Sequence, residues 1–162
     1  MTTLVVGFGS PHGDDQVGWL VIDELEKNSN GIGFLDVFKS KGNGIDWFNE
    51  VREHQHIIFV DAVSSGEPVG TIHSFVIGDD EDSRKIKTSS HAIGLIDSIS
   101  LAKTLNYLNT TVEFFGIEIT RDAPLDAVSK VVMQAIPELV KQIKKSAHLI
   151  NNTLRDDIVI SS

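Results

Sequence analysis

Two rhythms of apolar and polar residues, one of period two and one near 3.6, succeed each other along this chain, and the switches between them outline a fold. The opening stretch 4–18 (LVVGFGSPHGDDQVG) begins with an apolar, β-branched run around Val5 and Val6, which predicts a first strand. Val17, Leu20, Val21 and Leu25 then recur at helical spacing, with Asp23, Glu24, Glu26 and Lys27 on the other side, and predict an amphipathic helix ending near Asn28. Residues 28–31 (NSNG) terminate it, and 33–38 (GFLDVF) alternates as a second strand, completing a right-handed βαβ unit. After the polar loop 39–44 (KSKGNG), Ile45, Phe48 and Val51 predict a short helix before His54. The uninterrupted run 57–60 (IIFV) has the signature of a central strand buried on both faces, and is expected to end at Asp61.

Residues 62–70 are too few for a helical crossover, so the strand expected over 71–77 returns antiparallel and the sheet is mixed. A charged connection, 78–89 (GDDEDSRKIKTS), follows. Ser90 is expected as the N-cap of a third helix, with His91 in its first turn and Ala92, Leu95, Ile99, Ala102 and Leu105 on one face. Residues 111–119 (TVEFFGIEI) read as a strong strand, and Val128, Val131, Val132, Ala135, Leu139, Val140 and Ile143 form the inward side of a last helix. Pro137 interrupts that pattern and predicts a kink, or two shorter helices meeting there. The fold class expected is α/β: a three-layer single domain, phosphorylase/hydrolase-like, with a mixed, mostly parallel five-stranded sheet flanked by helices over 1–146, and an unassigned C-terminal tail over 147–162.

Composition narrows the partners. At 162 residues the chain suits one domain with a single core, and 41% hydrophobic with 23% charged residues is an ordinary globular balance. A net charge of −9, from 14 basic and 23 acidic residues, argues against nucleic acid and against an anionic membrane surface. The absence of cysteine excludes disulfides, thiolate metal sites and cysteine nucleophiles. No basic and apolar leader precedes the first strand, so the cytoplasm is the expectation; the sequence leaves the oligomeric state open, with a monomer favoured.

The turn after the first strand carries Gly7, Gly9 and Gly13, which suggests a dinucleotide phosphate site, but the spacing is G-x-G-x-x-x-G and Asp14 with Asp15 occupies the place of the anion. Two carboxylates repel phosphate, so a cation is the better occupant. Asp14 and Asp15, Asp61 and His91 all fall at strand ends or helix starts on one expected sheet edge. Carboxylates with one imidazole make a mixed oxygen and nitrogen donor set suited to nickel, zinc or iron(II). The bland alternatives are helix capping by Asp14 and Asp15, an Asp61 paired with a backbone donor, and a His91 of no consequence. His12, in the same loop, is a candidate for an outer-shell role; His54 and His56, flanking a strand start, are expected to be solvated.

The opening GFGSPHGDDQVG, the VDAV around Asp61 and the SHAIGL around His91 resemble, in order and separation, the three motifs of the nickel-iron hydrogenase maturation endopeptidases. The likeness extends to about Lys145. It implies an α/β domain whose metal-binding residues correspond to Asp15, Asp61 and His91, with Asp14 a neighbour orienting the loop. It also implies a function: removal of a C-terminal extension from the hydrogenase large-subunit precursor once nickel is inserted, the nickel arriving with that partner. Two departures stand out. Phe38, Lys39, Ser40, Lys41 and Gly42 occupy a segment where the family commonly has an aspartate and glycines, and Ile119 follows Glu118 where a proline is common.

No G-x-S-x-G elbow and no zincin or inverzincin pattern is present. If a metal polarises the scissile carbonyl or activates water, no protein nucleophile is required, and Asp14 or His12 could handle protons. Two other functions fit the same residues. One is a non-catalytic metal-binding or chaperone-like module docking on the precursor; the other is a serine hydrolase using Ser10, Ser64 or Ser65 with His91 and Asp61.

Overall fold

Strands β1 (Thr3–Phe8), β2 (Leu35–Ser40), β3 (His56–Val63), β4 (Ile72–Val76) and β5 (Thr111–Glu118) form one sheet in the order β2-β1-β3-β5-β4. All pairings are parallel except that of β4 with β5. The architecture is that of a computed structural model, which describes residues 3–28, 35–41, 45–78, 92–120 and 127–161. The antiparallel return of β4 follows from chain length, since residues 64–71 between β3 and β4 cannot make a crossover of about a dozen residues.

Alternation along β3 divides the core. Ile58, Val60 and Ala62 pack with Val5, Phe115 and Ile117 under α1 (Val17–Asn28) and α4 (Lys130–Ser161). Ile57, Phe59 and Val63 point the other way, with Leu4, Val6, Phe8 and Phe114, toward α2 (Phe48–Val51) and α3 (Ala92–Thr104). Burial on both faces is why β3 reads as continuous apolar sequence. The chain leaves β1 through α1 on one face and reaches β3 through α2 on the other. The carboxyl ends of β1 and β3 therefore form a topological switch point, where open α/β sheets place their ligands.

Contact between α1 and β1 is unusually close. A Cβ on Gly18 would lie 1.9 Å from the Phe8 carbonyl oxygen, so only glycine lets the helix backbone rest on the strand. This brings the loop between them over the strand end.

Four features differ from the expectation. Of the two outcomes expected at Pro137, a kink or two shorter helices, the second is not found: α4 is one helix of 32 residues, and it takes in the segment 151–161 that had no assignment. Proline in a helix interior costs about 3 kcal/mol, but burying each of Ile136, Leu139, Val140 and Ile143 returns roughly 1.5–3 kcal/mol, so packing outweighs propensity. Strand β3 does not stop at Asp61 but runs to Val63, because β5 pairs with it up to Glu118. His56 is not solvated: it is 1% exposed, with Nδ1 3.2 Å from Thr3 Oγ1 and Nε2 3.6 Å from Glu113 Oε1. The parallel register puts both partners beside it, so the strand start is interior. His54 is engaged as well, its Nε2 lying 2.8 Å from Asp36 Oδ2. Lastly, Asp14 and Asp15 lie in a 3₁₀ turn (Gly13–Gln16) that precedes α1, not in the helix itself.

Candidate functional site at the carboxyl edge of the sheet

The loop leaving β1 is closed by its own backbone. Ser10 N donates to Asp15 O at 3.1 Å and Asp15 N donates to His12 O at 3.0 Å, while His12 is extended and Gly13 turns back at φ 52°. The resulting 3₁₀ turn packs against β3. Its two acids have different environments. Asp14 is 3% exposed and occupied: Oδ1 accepts the Ser129 amide at 2.6 Å and Oδ2 accepts the Ser129 hydroxyl at 3.0 Å. It thus places a carboxylate at the start of α4, where the helix dipole favours one. Asp15 is half-buried, and its backbone carries the loop's internal bonds. Asp14 therefore does not cap the helix that follows it, as the capping alternative had it, but binds Ser129 at the start of the last one.

Asp61 is fully buried, on the sheet face that carries Phe59 and Val63. Its Oδ1 accepts the Ala62 amide at 2.8 Å. The register sets Gly116 of β5 beside it, and on the other side β1 ends at Phe8, one residue past the Gly7–Val60 pair. A carboxylate inside an apolar strand pair is expensive to desolvate, and here it stands where the β1 loop begins. The structure thus brings the loop bearing Asp15 and the strand bearing Asp61 to one edge.

Ser90 and His91 lie outside the described residues; α3 begins at the next residue, Ala92. Among the described residues no three His, Asp or Glu side chains converge as a metal cluster. His12 is exposed and makes no capping bond with its side chain.

At the end of β2, where the sequence departs from the family's pattern, the chain has its own bracing. Ser40 Oγ donates to Asp46 Oδ1 at 2.7 Å, the Lys41 amide donates to Asp46 Oδ2 at 2.8 Å, and Lys39 pairs with Asp23 at 2.6 Å. Trp19 Nε1 donates to the Ser40 carbonyl at 2.9 Å, which ties α1 to the same strand end. An aspartate does reach this edge, from position 46.

One buried acid escaped the reading of the sequence. Glu118, at the end of β5, is 1% exposed and accepts from the Ser65 amide at 2.8 Å and from the Ser65 hydroxyl, with His73 Nε2 3.2 Å from Oε1. Burial pushes its carboxyl up, but the bonds from Ser65 and His73 outweigh this and hold it below the ordinary carboxylate value. The signal was the one that singled out Asp61, an acid closing an apolar strand. Here glutamate stands between serine and histidine, whereas a Ser-His-acid triad needs histidine in the middle, so Ser65 is not set up as a nucleophile.

Residues 20–146 match the family model described as hydrogenase maturation protease. The hydrogenase maturating endopeptidase HybD from E. coli is similar in fold, with a TM-score of 0.76 at 20% identity over 88% of this chain and 90% of that one. The [NiFe] hydrogenase maturation protease HybD from Thermococcus kodakarensis gives 0.76 at 20% identity, over 91% and 99%. A hydrogenase 2 maturation peptidase from a Thaumarchaeota archaeon gives 0.65 at 25% identity, over 90% and 97%. No curated protein matches the chain significantly.

Proposed function

From a chain that belongs to the hydrogenase maturation protease family, we propose an endopeptidase that removes the C-terminal extension of a nickel-iron hydrogenase large-subunit precursor after nickel insertion. The observation that carries the reading is the buried Asp61 at the switch point, beside the loop that presents Asp15. In this reading Asp15, Asp61 and His91 grip the nickel that the precursor brings. The donor set fits: carboxylate and imidazole together suit a borderline divalent ion. Asp14, held through both oxygens by Ser129, serves the site by orienting the loop.

The substrate's metal supplies Lewis acidity at the bond to be cut. The protein's own residues bind and orient. Asp61 is held by the Ala62 amide in a strand packed on both sides, so the fold fixes where its carboxylate stands. His12, exposed in the same loop, is placed to exchange a proton with solvent. Dependence on a metal carried by the substrate makes cleavage conditional on metal loading. The protein is read as cytoplasmic, since a chain without cysteine suits a reducing compartment. Among the described residues no helix is long and apolar enough to cross a membrane.

The deciding experiment is mass measurement of precursor before and after incubation, with and without nickel loaded. A shortened C-terminus only in the loaded sample is expected. Equal cleavage of metal-free precursor overturns the nickel-based recognition, and an unaltered mass in both samples leaves a docking module without catalysis.

A further inference from the structure

Glu118 is buried and ionised at the active edge, yet no step of the proposed reaction uses it. Its carboxylate fastens one end of the loop after β3, through the amide and the hydroxyl of Ser65. Its main chain fastens the other end: Gly70 N donates to Glu118 O at 2.8 Å and Glu118 N donates to Thr71 O at 2.8 Å. Between these points Thr71 holds the Pro68 carbonyl through its amide at 3.1 Å and its hydroxyl at 2.6 Å. Residues 65–68 nevertheless remain exposed. An exposed loop tied at both ends to one buried residue is a preformed ridge.

Its place in the sheet gives the ridge a use. Val63 pairs with Glu118 and Asp61 with Gly116. Glu118 is therefore one strand across and two residues along from Asp61 on the same face, about 8 Å between Cα atoms. Resting on the peptidase reading above, we propose that Glu118 is a positioning residue: it fixes residues 64–71 as the wall beside Asp61 along which the extended C-terminal segment of the precursor is laid. Fixing the wall in advance removes the entropy of ordering it from the cost of binding, and sets the register of the scissile bond against Asp61.

The test uses the full-length protein and nickel-loaded precursor, with KM, kcat, precursor affinity and amide hydrogen exchange of residues 64–71 measured for each variant. Glu118→Ala is expected to raise KM about tenfold while kcat falls less than about threefold, and to speed exchange at Ser65. Glu118→Gln, whose amide oxygen can still accept the Ser65 N–H, recovers most of the KM. Ser65→Ala, which removes one bond and spares the fold, raises KM about threefold. Wild-type KM and exchange in Glu118→Ala overturn the proposal, as does a kcat abolished by Ser65→Ala, which would make Ser65 the nucleophile. If the wild-type protein does not shorten the precursor, the peptidase reading fails by itself. The wall is then decided by affinity: about tenfold weaker precursor binding by Glu118→Ala sustains it, and unchanged binding and exchange overturn it.

Discussion

Asp14 and Ser129, 115 residues apart, hold each other through two hydrogen bonds, from the Ser129 amide at 2.6 Å and the Ser129 hydroxyl at 3.0 Å. The pair joins the first loop of the chain to the start of its last helix. Two neighbouring acids thereby differ: Asp14 is a tie within the fold, while Asp15 is half-buried and is the one that the proposed function assigns to the metal.

Asp14→Ala should therefore destabilise the protein by about 1–3 kcal/mol, the cost of losing two charge-assisted bonds to the half-buried Ser129. Asp15→Ala should change stability by less than about 0.5 kcal/mol yet remove cleavage. Urea unfolding alongside the cleavage assay checks both. Equal stability losses in the two variants would falsify the division.

Asp61→Asn keeps an oxygen to accept the Ala62 amide at the same size, so the fold should persist while cleavage falls at least about a hundredfold. Thermal unfolding and precursor mass spectra read the two effects separately. A folded variant that cleaves at the wild-type rate removes Asp61 from the site.

Acid should weaken the fold through Glu113 and Glu118. Burial raises both carboxyls, but the His56 imidazole close by and the hydrogen bond from Ser146 at Glu113, and the bonds from Ser65 and His73 at Glu118, bring each below its ordinary value of 4.5. A depressed folded value means the contribution is complete above the unfolded carboxylate range, near about 4.3, and is lost as pH falls through the folded values. Urea midpoints between about pH 7 and pH 3 should drop at the acid end, and the drop should be shallower in Glu113→Gln and Glu118→Gln. Identical slopes in all three proteins contradict this.

Two glycines should respond for different reasons. Gly18→Ala drives a Cβ to 1.9 Å from a backbone oxygen that cannot move alone, and should cost more than about 3 kcal/mol or prevent folding. At Gly66 nothing lies within 4 Å of an added Cβ, so only its φ of 91° resists substitution, and alanine should cost about 1–2 kcal/mol. Comparable losses at the two sites are the contrary outcome.

Pro137→Ala restores an N–H in the interior of α4 and should stabilise the protein by about 1–3 kcal/mol, seen as a raised Tm. A lowered Tm is the contrary outcome.

The elements and their faces were already legible in the order of residues. The continuous apolar runs of β1 and β3, the 3.6 repeat of α1 and the shortness of the segment between β3 and β4 state local physics, since which residues must leave water is written in their spacing. Asp61 was marked in the same way, because an acid at the end of an apolar run is costly unless it has a use or a partner, and Asp15 by its place beside Asp14 in the glycine-bearing turn. Who those partners are came from the folded chain. The Ser129 that engages Asp14, the Ser65 and His73 that engage Glu118, and the Thr3 and Glu113 that make His56 an interior residue are all brought by strand register and helix placement. So is the unbroken course of α4 through Pro137, where burial of distant side chains outweighs a local preference that any reading of neighbours would obey. Hydrogen bonds and packing act over a few ångströms in space, and nothing in the order of residues along the chain says which ones will share that space.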